Sequence, residues 1–344
     1  MTAETEIESL LAAILAVRPQ SKQRRELLRS LLSEVVVLAE QDPETLDLKI
    51  AEAALSELVE AFEVFGPYRH VRKVTIFGSA RTKPDSKLYV EAHDFARDIA
   101  DQGWMVVTGA GPGIMAAGIQ GAGRERAFGV NIQLPFEQGA NDFIIDDDKL
   151  VEMRYFFTRK VMLTKESSAF AVFPGGFGTL DECFELLTLL QTGKAMPAPL
   201  VLIDEPGGEY WSDWLSFIDK RVAGEGYVSR GDECFFSITS SAHEAVGVIR
   251  NFYNNYHSFR QVGDQAVLRI HHGPTDEQLA AINDEYHSMV TTGSIERSGA
   301  LGAERASKDL LHLDRLVWRF DRRSYGSLRR MIDDVNAWVT PLTV

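Results

Sequence analysis

Hydrophobic residues recur at three- and four-residue spacing through the first 66 positions, in ESLLAAILAV, RRELLRSLLSEVVVLAEQ and LDLKIAEAALSELVEAFEVF. That period places apolar side chains on one face of a helix. Pro19, Pro43 and Gly66-Pro67 interrupt it, so the segment reads as a run of helices. Their expected role is packing, as a cap on a core or as an oligomer contact. From about residue 71 the pattern changes. VTIFG (74–78), WMVVTG, AFGVNIQLP, AFAVF, PLVLID and CFFSIT are short apolar runs, the third stopped by Pro135. Between them lie amphipathic stretches: KLYVEAHDFARDIADQG ending at Gly103, GIMAAGIQGA, a helical stretch over about 149–166, LDECFELLTLLQTGK, YWSDWLSFIDKRV and SAHEAVGVIRNFYNNY. Such alternation predicts an α/β fold: a doubly wound, mostly parallel Rossmann-like sheet with helices on both faces. After about 260, AVLRIHHG, TDEQLAAINDEYHSMV, RLVWRF and SLRRMIDDVNAWV suggest a small α/β appendage. The polar stretch GSIERSGALGAERASKD between them reads as a mobile loop. The expected organisation is a helical N-terminal extension (1–66), a Rossmann-like nucleotide-binding catalytic domain (67–258) and a C-terminal appendage (259–344).

Composition narrows the function. Of 344 residues 45% are apolar, ample for a buried core, and the formal net charge is −14. Such a chain has no overall attraction for nucleic acid polymers or anionic membranes, so an anionic substrate needs a local basic pocket. Cys183 and Cys234 form no disulfide framework and no C-x-x-C pair, and read as buried thiols. The acidic start MTAETEIESLLAAILAVRP lacks a basic signal-peptide region, and no apolar run is long enough to span a membrane. The expectation is a cytoplasmic protein. The eight histidines include one adjacent pair, His271-His272, and show no metal-ligand spacing, so no metal and no cofactor is expected.

Ligands of doubly wound sheets bind beyond the carboxyl ends of the strands. There lie three glycine clusters: FGSAR (77–81), TGAGPG (108–113) and PGGFGT (174–179). Loops of small residues let backbone N–H groups approach an anion, and a following helix N-terminus adds a favourable dipole. GAGPGI has Ile114 where a dinucleotide fingerprint has its third glycine, and no acidic residue follows at the usual spacing. PGGFGT lacks the lysine of a P-loop, so ATP chemistry is not supported. One such loop is equally a tight βα turn. Three at successive strand ends point to the phosphate of a nucleotide or sugar. Two readings of Glu182 stand. TLDE (179–182) satisfies the capping-box pattern, with Thr179 capping a helix and Glu182 reaching back to it. Alternatively Thr179 serves the phosphate and Glu182 faces the ligand. Upstream, EMRYFFTRKVMLTKES (152–167) supplies positive charge. On a helix Arg159 and Lys160 point about 100° apart, so one can face a site while the other faces solvent. Met153, Phe156 and Phe157 are either core or the lining of an apolar slot beside the arginine.

FGSAR, TGAGPGIMAAGIQGA, FFTRK and PGGFGTLDE together resemble the LOG ("Lonely Guy") family of nucleoside 5′-monophosphate phosphoribohydrolases, which older naming called lysine decarboxylases. The pattern P-G-G-x-G-T-x-x-E matches residues 174–182 in full, and the resemblance covers about 71–225. It implies hydrolysis of the N-glycosidic bond of a nucleoside monophosphate to a free base and ribose 5-phosphate. It implies a phosphate site at Gly175, Gly176, Gly178 and Thr179, with Glu182 and Arg159 as the catalytic pair and Lys160 as the paired lysine. Gly78, Ser79, Gly111, Pro112 and Gly113 match the family's other nucleotide-contacting loops, and Met153 belongs to the same substrate set. A homodimer or higher homo-oligomer is also implied. The chain departs from the pattern twice. Plant-type members have Met-His-x-Arg-Lys where this chain has Phe156-Phe157-Thr158-Arg159-Lys160, and many bacterial members have G-I-M-E-A where it has Gly113-Ile114-Met115-Ala116-Ala117. The same superfamily fold serves as a molybdenum-cofactor carrier, so a non-catalytic carrier or nucleotide sensor is the alternative.

Overall fold

The computed structural model describes residues 3–17, 21–133, 139–229 and 231–340. Pro19 and Pro135, read above as breaks, lie outside the described residues. The chain divides into two compact units, 1–57 and 58–344. The first holds α1 (Ala3–Val17), α2 (Lys22–Glu40) and the start of α3 (Thr45–Phe65). The Ser21 hydroxyl caps α2 by accepting the Arg24 N–H at 3.4 Å, and Arg29 of α2 pairs with Glu8 of α1. Leu27, Leu31 and Val35, one above another on α2, are exposed.

In the second unit strands and helices alternate as the pattern predicts. They run β1 (Lys73–Phe77), α4 (Lys87–Asp101), β2 (Met105–Thr108), α5 (Ile114–Ala122), β3 (Ala127–Ile132), β4 (Leu150–Met153) and α6 (Phe156–Lys165). They continue through β5 (Ala169–Val172), α7 (Phe177–Gln191), β6 (Leu200–Ile203), α8 (Tyr210–Phe217), β7 (Phe236–Thr239) and α9 (Ala242–Phe252). Among the described residues these strands form a seven-stranded parallel sheet in the order β4-β3-β2-β1-β5-β6-β7. β1, β2, β5 and β6 are buried at every position, as strands covered on both faces must be. Alternate residues feed the two layers: Phe77, Val107, Phe170 and Leu202 one, Ile76, Val106, Ala171 and Ile203 the other. Ala61 and Phe65 of α3 join the first layer. Strand order reverses between β1 and β5, which opens the crevice where such folds bind ligands.

Two expectations fail. The stretch 149–166 is not one helix, because β4 precedes α6. Leu150–Met153 is too short for its period to decide, and pairing with β3 along the sheet edge overrides local preference. The second concerns the C-terminal part. There β8 (Tyr256–Val262), β9 (Gln265–Ile270), α10 (Asp276–Tyr286), β10 (Glu296–Ser298), α11 (Gly302–Ser307), β11 (Asp314–Arg319) and α12 (Tyr325–Ala337) build an antiparallel sheet in the order β10-β11-β9-β8. The polar stretch expected to be a mobile loop contains β10 and α11. It is pinned by Glu304, fully buried, which accepts from Arg269 Nε at 2.8 Å and Arg315 Nε at 2.9 Å. A polar sequence reads as loop unless its charges meet partners, and here Arg269 comes from β9, 35 residues away, and Arg315 from β11, 11 residues away.

Candidate active site

β5 ends at Val172 and the chain turns through Pro174, Gly175 and Gly176 into α7. Gly176 is the N-cap and uses no side chain. The N–H groups of the first turn, at Phe177, Gly178 and Thr179, precede the first intrahelical bond, Leu180 N–H to the Gly176 carbonyl. They form a positively polarised edge at the sheet's reversal point. Thr179 is therefore inside the helix, and the capping-box reading of TLDE is corrected. The glycines carry the chain into the helix, leaving Thr179 and Glu182 available to the cavity. At Gly175 a Cβ would lie 2.1 Å from the Thr179 hydroxyl oxygen, so only glycine lets the turn fold over that side chain. The turn is held from behind, with the Tyr210 hydroxyl donating to the Gly175 carbonyl at 2.7 Å and the Ser79 N–H to the Pro174 carbonyl at 3.2 Å.

A cavity of about 640 Å³ opens there, large enough for a nucleotide. Of the residues expected from sequence, Gly78, Ser79, Arg159, Gly175, Gly176, Gly178, Thr179 and Glu182 line it. Gly111, Pro112, Gly113, Met153 and Lys160 do not. Met153 is fully buried in the core layer. The 111–113 turn acts from one step away: Ile114, just after it, donates to the Ser79 carbonyl at 3.0 Å and so fixes the Gly78-Ser79 loop. Asn141, not anticipated from sequence, steadies the same turn by donating to the Ala110 and Gly111 carbonyls, both at 2.9 Å. Ala110 itself has φ 59°, a left-handed conformation uncommon for a residue with a Cβ. Arg81, Gly109, Met115 and Phe177 also line the cavity. Arg81 and Gly109 belong to the glycine clusters already singled out, so the signal was present. Ala116, one of the two departures from the family pattern noted from sequence, is buried and does not line it. Phe156 and Phe157 are exposed rather than core, and Phe156 reaches the cavity rim.

Arg159 and Lys160 diverge as helical geometry requires, but neither faces open solvent. Arg159 Nε donates to the Val130 carbonyl at 3.0 Å and Nη2 to the Gly109 carbonyl at 3.3 Å, which aims the guanidinium into the cavity. Lys160 turns to α7, with Nζ 2.6 Å from Glu185, 2.9 Å from Asp181 and 3.3 Å from Glu182. Burial disfavours its charge, yet the hydrogen bonds to Glu185 and Asp181 outweigh that and raise its pKa above the ordinary lysine value. Glu182 is buried, which pushes its pKa above the usual carboxylate range, while Lys160 pulls it back. The neighbouring Cys183 thiol is pushed up to about 12 by burial, so it supplies no thiolate at neutral pH. Among the described residues no cluster of three histidine, cysteine or acidic side chains has metal-binding geometry, and no helix is long and apolar enough to cross a membrane. The arrangement thus offers an anion cradle at a helix N-terminus, an arginine and a buried carboxylate around one space.

A family model described as "possible lysine decarboxylase" matches residues 112–249. A cytokinin riboside 5′-monophosphate phosphoribohydrolase of Arabidopsis thaliana is 33% identical over 119 residues, 35% of this chain and 54% of its own length. A probable cytokinin riboside 5′-monophosphate phosphoribohydrolase of Oryza sativa subsp. japonica is 30% identical over 167 residues, 46% of this chain and 63% of its own. The chain spans about half the length of the curated relatives it matches. Among solved structures, a molybdenum cofactor binding protein from Rippkaea orientalis aligns with a TM-score of 0.38 and 18% identity, over 52% of this chain and 95% of its own.

Proposed function

The Rossmann-like core of this chain belongs to the LOG family, and on that premise we propose that the protein is a cytoplasmic N-glycosyl hydrolase of nucleoside 5′-monophosphates. The products are a free base and ribose 5-phosphate. The observation that carries this reading is the buried Glu182 carboxylate facing the same cavity as the α7 cradle and Arg159.

The 5′-phosphate docks on the N–H groups of Phe177, Gly178 and Thr179 and the Thr179 hydroxyl, and its binding energy orients the sugar. The bond from C1′ to the base nitrogen breaks with its electron pair leaving on the base. C1′ becomes oxocarbenium-like, and a water oxygen bonds to it. The Glu182 carboxylate stabilises the positive sugar and orients that water, one of whose protons ends on the base. Arg159 holds the phosphate edge, and Lys160 keeps Glu182 ionised. A second copy of the chain covers the exposed Phe156 and Phe177 at the cavity rim, together with the exposed Phe157 next to Phe156.

The test is incubation with a panel of purine and pyrimidine monophosphates, with chromatographic assay of released base. Release that falls to background in Glu182→Ala supports the reading. No release from any nucleotide, together with a pterin cofactor that co-purifies without turnover, replaces it with the carrier function.

A further inference from the structure

A second, larger cavity of about 900 Å³ lies at the opposite end of the sheet, off the amino ends of β1, β5 and β6. Its lining includes Arg69, Arg72, Lys194 and His257. Arg72 is the informative residue. Its guanidinium stacks 3.8 Å from the centre of the Tyr253 ring and 5.7 Å from that of Trp104, with no acidic partner among the described residues. A guanidinium held by its face keeps its N–H edge free for a planar or tetrahedral anion. The acids at this cavity are already engaged. Glu185 pairs with Lys160 at 2.6 Å, and Asp309 with Arg269 at 2.7 Å and Arg260 at 3.0 Å. Arg69 and Lys194 likewise have no acidic partner among the described residues. Burial above all, and then the neighbouring His271 and Arg72, push His257 down to about 4. In an acidic protein, a cavity whose own carboxylates leave such an excess is built for an anion from outside.

We propose that this cavity binds a small phosphorylated molecule through Arg72, Arg69 and Lys194, and that the bound anion acts on the reaction site through Lys160. More than one cation without an acidic partner among the described residues lines the space, so a phosphate or pyrophosphate group matches it better than a monocarboxylate does. The coupling follows from position. Lys160 and Glu185 line this cavity, while Asp181 and Glu182, the other partners of Lys160, line the first. An anion that draws the Lys160 ammonium toward itself weakens its hold on Glu182. This second part rests on the hydrolase reading; binding does not.

Inorganic pyrophosphate is titrated calorimetrically into the full chain carrying Arg159→Ala, which weakens the catalytic cradle. Saturable binding is expected, weakened about tenfold or more by adding Arg72→Gln. Lys194→Glu, on the exposed wall, gives the same result should Arg72→Gln misfold. Absence of binding at millimolar pyrophosphate, or equal affinity in both wall variants, overturns the site. In the otherwise unaltered chain, kcat at saturating nucleotide, where competition at the cradle drops out, falls about fivefold with pyrophosphate. That fall disappears in the wall variants; pyrophosphate binding with unchanged kcat overturns the coupling. A chain that hydrolyses no nucleotide but binds pyrophosphate through Arg72 loses the hydrolase reading and keeps the site.

Discussion

The ammonium of Lys160 lies 3.3 Å from a carboxylate oxygen of Glu182, across the gap between α6 and α7. The pair sets the protonation of the group proposed to act on the sugar. Burial raises the Glu182 pKa and Lys160 lowers it, and the net direction is upward. Glu182 works ionised, so kcat/KM should rise with pH through a limb lying above the ordinary carboxylate range. Lys160→Met removes the opposing charge and should move that limb to still higher pH. A pH–rate profile with the limb unmoved in Lys160→Met would show that the pair does not tune the carboxylate.

Glu182 should also cost stability. A carboxyl whose pKa is raised on folding favours the folded state most at low pH, and that contribution is lost as pH rises through the folded value. At neutral pH Glu182→Gln should therefore remove activity yet raise Tm, by about 2 °C. The gain should shrink as the pH falls below the folded pKa and vanish below the ordinary carboxylate value of 4.5. Scanning calorimetry at two pH values checks the sign.

Gly109 leaves the room that Arg159 occupies. A Cβ there would lie 2.0 Å from Nη2, so Gly109→Ala must displace the guanidinium. Loss of kcat/KM of about 100-fold is expected, with the global fold retained by circular dichroism. Activity equal to the parent would remove Arg159 from the site.

Glu304 is the structural counterpart of Glu182. Burial opposes its charge, but the Leu301 N–H, Arg269 and Arg315 overcome that and bring its pKa down to about 2. Its contribution is present above the ordinary carboxylate value of 4.5 and is lost as pH falls toward about 2. Glu304→Ala leaves two buried arginines without their shared acid and should cost about 3–5 kcal/mol. Urea denaturation measures it, and a loss below about 1 kcal/mol would contradict the buried network.

Phe177 is 95% exposed at the mouth of the proposed active site. If a second copy covers it, Phe177→Asp should shift the chain toward monomer in light scattering. An unchanged mass would place any self-association elsewhere.

Sequence determined the alternation of buried strands and amphipathic helices, because period and turn chemistry are local properties of the chain. It also marked the loop proposed as the cradle. As a proposed phosphate cradle, PGGFGT needs only small residues and a helix start, both visible in six letters. The edge strand β4 was hidden because four residues with no strong preference take their state from the neighbour they pair with. Arg159 and Lys160 were recognisable as a pair, yet their division of labour was not. Val130 and Gly109 carbonyls aim one at the cavity, and three carboxylates of α7 hold the other. The buried Arg269–Glu304–Arg315 cluster, and Arg72 without an acidic partner among the described residues, are tertiary facts in the same sense. A charge in a sequence becomes a pair, a tuned base or an open site only when folding decides which distant groups stand within a few ångströms of it.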